Sequence, residues 1–357
     1  MRRIIKKLRS PFVLFLSKKI VFLLTALFIS FSFIFIAPRM MPWTPVDIMI
    51  GRLAGGEVTP VTGIGAGVPM TGKSLETIRR IYEQKFGIYE PLHIQYIRFW
   101  NRVINMDFGL SYWRYPLPVS LLVRHALLWT LALIIPVIPL GFSIGNWIGS
   151  RAAYNRGKLD NLLYYVSLYM FQAPYYWIAL ILVFVFAITL KWFPPFGAYS
   201  PGWVRPVIGL DWFLDAVYHY CLPYLSLLGL GIGGWAIGMR AMMVYEMESD
   251  YMQYSKQLGF SRGKLRSYAE HNAILPNFTW IPMALSSLVS QTLLVEVVFG
   301  YPGLGTLMYM AVYAADYPLL EACFIIIVLI VLVGNSVADL LYGTIDPRIA
   351  TGYVGER

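Results

Sequence analysis

Charge is what this sequence has least of. Only 13% of its 357 residues are charged, about half of the roughly 25% usual in soluble globular domains. That shortage excludes a soluble enzyme or a solvated binding module as the bulk of the chain. Cysteine is scarce too: Cys221 and Cys323 both lie in or beside apolar segments, which leaves no disulfide framework and no cysteine metal site. The four histidines, His93, His125, His219 and His271, are scattered without ligand spacing, so neither a metal site nor a histidine-centred catalytic set is expected. Low-complexity tracts and obvious internal repeats are also missing.

What is present is apolar, 58% of the chain, arranged in stretches long enough to cross a bilayer, which takes roughly 20 residues. Ile20–Pro38 carries no charge and is the first predicted span. Charge-poor stretches place the others at about Ala126–Ile148, Leu162–Leu190, His219–Ala241, Phe278–Phe299 and Leu320–Tyr342. The third is overlong, so it is tilted, kinked at Pro174 or begins outside the lipid. Pro136, Pro139 and Pro174 each remove a backbone bond and are expected to bend their helices. The run Val297–Ala315 is uncharged but broken by Gly300, Pro302, Gly303 and Gly305, which predicts a bent or re-entrant hairpin.

Residues 1–19 contain Arg2, Arg3, Lys6, Lys7, Arg9, Lys18 and Lys19 and no acid. A basic flank before an apolar run holds that end in the cytoplasm. It also explains the net charge of +10 without nucleic-acid binding. A cleaved signal peptide is disfavoured because Pro38-Arg39-Met40-Met41-Pro42 follows the run where a small-residue cleavage site is needed. Six spans return the C-terminus to the same side, in keeping with Arg151, Arg156 and Lys158 after the second span, Lys256, Arg262, Lys264 and Arg266 after the fourth, and Arg348 and Arg357 after the sixth.

The predicted organisation is a basic cytoplasmic N-terminus (1–19), a first helix (20–38), an outer-face segment (39–123), a core of five helices (124–345) with a water-facing loop at 245–276, and a cytoplasmic tail (346–357). In the outer segment, Leu75–Phe86 and Leu92–Val103 have helical spacing, which predicts a small folded cap. The 250–276 loop is polar, basic and helix-compatible, with Gly259 near its middle. Its bland reading is an ordinary solvated linker.

Two glycine-rich motifs resemble nucleotide sites. Gly67-Val-Pro-Met-Thr-Gly72-Lys73-Ser74 fits the phosphate-loop pattern literally, but a working loop needs a strand before it and a helix after it. Gly229, Gly231 and Gly234 fit a dinucleotide fingerprint, yet they fall in the fourth span, where small residues let helices approach. Both are read as coincidences. Glu296 is an acid near the end of a span, where ionised groups are costly; it either bonds amides of the adjacent glycine-rich turn or lines a pathway. Gln172, Gln291, Asn335 and Asp339 are polar groups in or near spans, open to pathway or interhelical roles.

Several segments together resemble a family: Phe86-Gly87 through Glu90-Pro91-Leu92; Gln95-Tyr96; Asp107-Phe108-Gly109-Leu110-Ser111; Pro118-Val119; Pro174 to Trp177; and Trp192-Phe193-Pro194 with Gly197. To these are added Asp250-Tyr251 with Gly259, Asn272 to Pro276, Glu296 to Gly305, Asp316-Tyr317-Pro318 and Asp346-Pro347-Arg348. In this order they resemble the first permease subunit of the oligopeptide/dipeptide class of ABC importers. The resemblance implies an all-α integral membrane protein of six transmembrane helices with the importer-type permease fold. It implies partners: a second similar permease, two cytoplasmic ATPases carrying ATP and Mg, and an extracytoplasmic substrate-binding protein, with no cofactor on this chain. It implies a coupling loop, with Tyr254, Ser255, Gln257, Gly259, Phe260, Asn272 and Pro276 as its candidate residues. Glu296, Pro302, Gly303 and Gly305 would form a structural turn, and Gln172, Gln291 and Asn335 are pathway candidates. Ser255-Lys256-Gln257-Leu258 and Tyr268-Ala-Glu270-His271 depart from the common pattern, which bears on which ATPase fits. Peptide and oligosaccharide cargoes both remain open. The rival classes are a self-sufficient secondary transporter, which lacks its expected inverted repeat, and a membrane enzyme, which lacks a reactive cluster.

Overall fold

The computed structural model describes residues 11–40, 46, 76–77, 79–81, 83, 90–155, 157–201 and 209–345. The described residues form helices and connecting turns with no strand. In chain order the helices are α1 (Pro11–Arg39), α2 (Leu92–Ile104), α3 (Val119–Asn155), α4 (Lys158–Gln172) and α5 (Tyr175–Leu182), which runs on as a π-helical stretch (Val183–Thr189). Then come α6 (Leu210–Met247), α7 (Asp250–Gln257), α8 (Arg262–Thr279), α9 (Ile281–Val298), α10 (Leu304–Tyr313) and α11 (Tyr317–Ile345). All-helical architecture is what hydrocarbon demands, since a helix satisfies its own backbone groups.

Five of these helices are long and apolar enough to cross a membrane singly: α1 (from Ile20), α3, α6, α9 and α11. A sixth crossing is available if α4 and α5 with its π-helical continuation count as one. That pair, predicted as a single third span, is bent by 103°. The break falls at Ala173-Pro174, where Pro174 lacks an N–H and holds the preceding residue extended (Ala173 φ −68°, ψ 135°). Pro136 and Pro139 lie inside the single helix α3. Helices α3 and α6 overrun their predicted spans at both ends, because once backbone bonds are established a helix continues beyond the apolar stretch that signals it. Phe278, predicted to open the fifth span, belongs to α8.

The chain divides into two compact units. One comprises residues 1–128 and 306–330. In it α2 packs on α1. Trp100 stacks on Phe28 (5.5 Å), and Tyr96 and Phe99 pack on Phe35 (5.1 and 5.4 Å), so α2 lies along α1. Arg39, at the end of α1, donates to Gln95 (3.1 Å) and to Glu321 of α11 (2.5 Å). Asp316, fully buried, accepts from Ser111 Oγ (2.5 Å) and from the backbone N–H groups of Trp113 (3.0 Å) and Leu319 (3.2 Å). Burial pushes its carboxyl above the usual range while these donors pull it back. The segment before α3 is thereby tied to the start of α11. Half of the predicted helix at Leu75–Phe86 falls outside the described residues, and the described positions within it (76–77, 79–81 and 83) are helical.

The second unit comprises residues 129–305 and 331–357. Its helices approach closely through glycine. A Cβ on Gly145 of α3 would sit 2.5 Å from Trp235 Cβ and 2.7 Å from the Ile232 carbonyl of α6. One on Gly233 of α6 would sit 2.7 Å from Met170 Cβ of α4. In lipid, where apolar surface drives little association, such contact is a principal source of packing energy. Gly229 and Gly231 have no such close neighbour, and Gly234 meets the Phe171 ring at 3.0 Å. All three glycines lie inside continuous helix, which is no phosphate-binding loop. The Gly67–Ser74 motif lies outside the described residues.

Candidate functional site

The polar insert after the fourth span folds as a helical hairpin. Ser249 precedes α7 with extended backbone (φ −67°, ψ 154°), Asp250 stands in the first turn and Lys256 in the last, matching the helix dipole at both ends. The hairpin reverses at Gly259, whose φ is +77°. The Phe260 N–H bonds the Ser255 carbonyl (3.3 Å) and the Gly259 N–H bonds that of Lys256 (3.0 Å), the paired bonds of a Schellman motif. Nothing lies within 4 Å of where a Gly259 Cβ would be. Glycine is required here by conformation, not by space. Ser261 then opens α8.

The inner face of the hairpin is apolar. Met252 of α7 and Leu265, Ala269 and Ala273 of α8 are buried against Met239 and Met243 of α6 and Ala153 of α3. Polar bonds fasten the same joint. Asn272 Nδ2 donates to the Tyr251 hydroxyl (2.9 Å), which donates to Glu246 at the end of α6 (2.6 Å). Ser150 of α3 donates to Glu270 (2.6 Å), which Arg266 also holds (2.6 Å). Deeper, Asn277 donates to Asn146 of α3 (2.6 Å), both buried.

The outer face is open. Tyr254 is 62% exposed and Leu258 55%; Gln257 and Gly259 are exposed as well. Among the sequence candidates, Ser255 is turned inward, buried and bonded to the Tyr251 carbonyl (2.8 Å). An i, i+3 spacing from Met252 puts it on the packed face. Phe260 is half-buried against the same core, its ring 6.0 Å from Tyr268. Asn272 is a fastening residue, and Pro276 lies within α8. Glu246 and Ser150 were not singled out by sequence reasoning, and Tyr251 and Glu270 were named only as parts of the family pattern and its departures. The adjacency of Tyr251 to Asp250 was visible, but its bond to Asn272, 21 positions on, was not.

The turn after α9 is organised by Glu296, fully buried. Its carboxyl accepts from Thr130 Oγ (2.6 Å) and from the Gly305 N–H (2.6 Å), and Thr130 in turn accepts the Leu304 N–H (2.8 Å). These amides open α10, so an acid on one helix caps another. A Cβ on Gly303 would fall on the Glu296 carboxylate, and one on Gly305 on the Leu293 backbone. Pro302 sits between Tyr301 and Gly303, whose N–H bonds the Tyr301 carbonyl (2.7 Å).

The pathway candidates do not converge in a common bonded cluster. Gln172 is exposed at the end of α4, and Gln291 is half-buried on α9. Asn335 of α11 exchanges long hydrogen bonds with Ser286 of α9 (3.3 and 3.5 Å). An ion pair missed from sequence lies elsewhere: Arg240 of α6 grips Asp160 of α4 through both carboxylate oxygens (2.7 and 2.8 Å). Among the described residues, no group of His, Cys, Asp and Glu could hold a metal ion.

Residues 138–351 match the family described as the binding-protein-dependent transport system inner membrane component. The chain belongs to this family. It is therefore a multi-pass membrane component of a transport system, as its apolar helices require. It is 29% identical over 314 residues to the oligopeptide transport system permease protein AppB of Bacillus subtilis, covering 87% of this chain and 95% of that one. It is 30% identical over 326 residues to a probable peptide ABC transporter permease, y4tP, of Sinorhizobium fredii (88% and 99%). To the probable D,D-dipeptide transport system permease protein DdpB of Escherichia coli it is 27% identical over 334 residues (89% and 92%).

Proposed function

We propose that this chain is one of two permease subunits of an ATP-driven importer of peptides. The α7–α8 hairpin is the point at which a cytoplasmic ATPase acts on it. The observation that carries this reading is the hairpin's two-faced build: exposed Tyr254, Gln257 and Leu258 at its tip, and a buried methionine–alanine core with hydrogen bonds to α3 and α6 at its base. Both termini are cytoplasmic in this reading. ATP and Mg are held by two separate ATPase subunits, a second permease completes the channel, and an extracytoplasmic binding protein delivers cargo. Closure of the ATPases would push the tip, and the fastened joint would shift α3 and α6 to give alternating access. Gln172, Gln291 and Asn335 are the residues of this chain proposed to meet cargo. The peptide class rests on the names of the relatives, and no observation here favours oligosaccharide.

The test is mild-detergent isolation of the tagged chain from its native membrane, with mass spectrometry of what accompanies it. Two ATPases and a second six-span protein are expected. Recovery of this chain alone, in a detergent that keeps comparable complexes whole, would favour a self-sufficient transporter. Uptake of labelled di- to pentapeptides by cells with and without the chain then tests the cargo.

A further inference from the structure

We infer that α2, the helix of the segment following the first span, lies within the membrane alongside the half of α1 nearest Arg39, with its Ile97 and Ile104 edge against lipid. The first span is Ile20–Arg39. The bonds and ring contacts between α1 and α2 run from Arg39, which meets Gln95, back through Phe35, Ser32 and Phe31 to Phe28, which meets Trp100. At 1.5 Å per residue that is about 16 Å of helix, roughly the half of the span nearest Arg39. A helix that touches α1 over this depth stands beside lipid-facing chain, not above it.

The composition of α2 suits that place. On a 3.6-residue period, Tyr96, Phe99, Trp100 and Val103 share the side against α1. Ile97 and Ile104 flank that side on an uncovered edge, 67% and 74% exposed. Arg98, Asn101 and Arg102 stand on the opposite arc. The apolar arc is thus wider than the surface α1 covers. In water, two isoleucines left so open would cost about 1.5–3 kcal/mol each relative to burial; against acyl chains they cost nothing. Aromatic and aliphatic residues on one face and arginines on the other let such a helix keep its apolar edge in lipid while Arg98 reaches back along the helix towards Glu90. Arg98, paired with Glu90 (2.9 Å), is 45% exposed at its side chain and long enough to reach a phosphate. α1 is itself lipid-facing on its other side, with Phe22, Ile29 and Phe33 open, so the two helices present one continuous apolar surface.

Single cysteines at positions 97, 104 and 101 (Ile97→Cys, Ile104→Cys, Asn101→Cys), with Cys221 and Cys323 replaced by serine, would carry nitroxide labels. The full chain, isolated with whatever subunits accompany it, would be placed in nanodiscs of phosphatidylethanolamine and phosphatidylglycerol. At 97 and 104 we expect relaxation enhancement by oxygen to exceed that by a water-soluble nickel complex several-fold, with a lower ratio at 101, on the opposite arc. Equal nickel accessibility at all three positions would put this face in water and overturn the inference. Protection of 97 and 104 from both reagents would overturn it too, because a protein surface would then cover the edge. Should the cysteine variants disturb folding, photocrosslinking to a diazirine-bearing phospholipid from an unnatural residue at 97 gives the same decision, adduct with lipid or with protein.

Discussion

Gly259 can be replaced in a way that separates conformation from contact. Its φ of +77° is a region where residues with a Cβ are strained by about 1–2 kcal/mol, and β-branched residues lie at or beyond the top of that range. A Cβ added there meets no atom of this chain, so the strain is the whole intramolecular cost. Gly259→Asn, which tolerates the left-handed region, should cost a few tenths. Gly259→Ala should cost about 1 kcal/mol and Gly259→Val about 2 kcal/mol or more. The strain is released by opening the bonds from the Phe260 and Gly259 N–H groups to Ser255 and Lys256. Their amide hydrogen exchange should therefore accelerate about 5-fold for alanine and about 30-fold for valine, with the spans unchanged. Under the coupling proposal, uptake should fall in the same order and remain near normal for asparagine. If asparagine abolishes uptake as fully as valine while hairpin exchange stays native, the backbone reasoning is wrong. The glycine would then be needed because a partner surface comes too close for any side chain.

Other substitutions test the fastening and the packing. Glu296→Ala leaves the Thr130 hydroxyl and the Gly305 N–H without acceptors in a buried turn; at about 1–3 kcal/mol per orphaned group, it should lower the unfolding temperature in detergent well beyond a surface alanine. Gly303→Ala should be comparably harmful, because its Cβ falls on the same carboxylate. A double-mutant cycle of Asn146→Ala and Asn277→Ala should return about 1 kcal/mol of coupling; additive effects would mean the bond is not formed in the membrane. Gly145→Leu should abolish folded yield, since even a Cβ meets Trp235 at 2.5 Å. Gly231→Ala, with nothing nearer than 3.8 Å, should be tolerated. The reverse order would show that α3 and α6 pack through another face.

Much of the membrane architecture was legible in the linear sequence because the signal is local and additive. Each uncharged run had to cross or enter lipid, and the interruptions marked the breaks. Pro174 stood in an overlong run and broke the helix, while Pro136 and Pro139 did not. The difference is not in the residue. Deletion of one backbone bond and a steric push can be absorbed within a long helix but can also permit a sharp turn, and neighbouring helices choose. The helical character of the insert around Gly259 was legible for a similar reason: a polar, helix-compatible stretch between apolar runs has few ways to fold in water. That Ser255, a coupling-loop candidate, is buried was not legible, because the phase of α7 is set by which side meets Met239 and Met243. The outer segment was read as a cap from its helical spacing, which does not say that α2 packs along α1 through Tyr96 and Trp100.

The sequence alone therefore determined class: which stretches are apolar, roughly where they end, and which flanks are basic. These follow from the transfer of each residue between water and hydrocarbon. Tertiary structure decided which polar side chains meet. Glu296 with Thr130 and Gly305, Asn146 with Asn277, Arg240 with Asp160, and Arg39 with Glu321 are pairings set by helix crossings, and those crossings depend on small-residue contacts such as Gly145 with Trp235 that no single stretch of sequence contains.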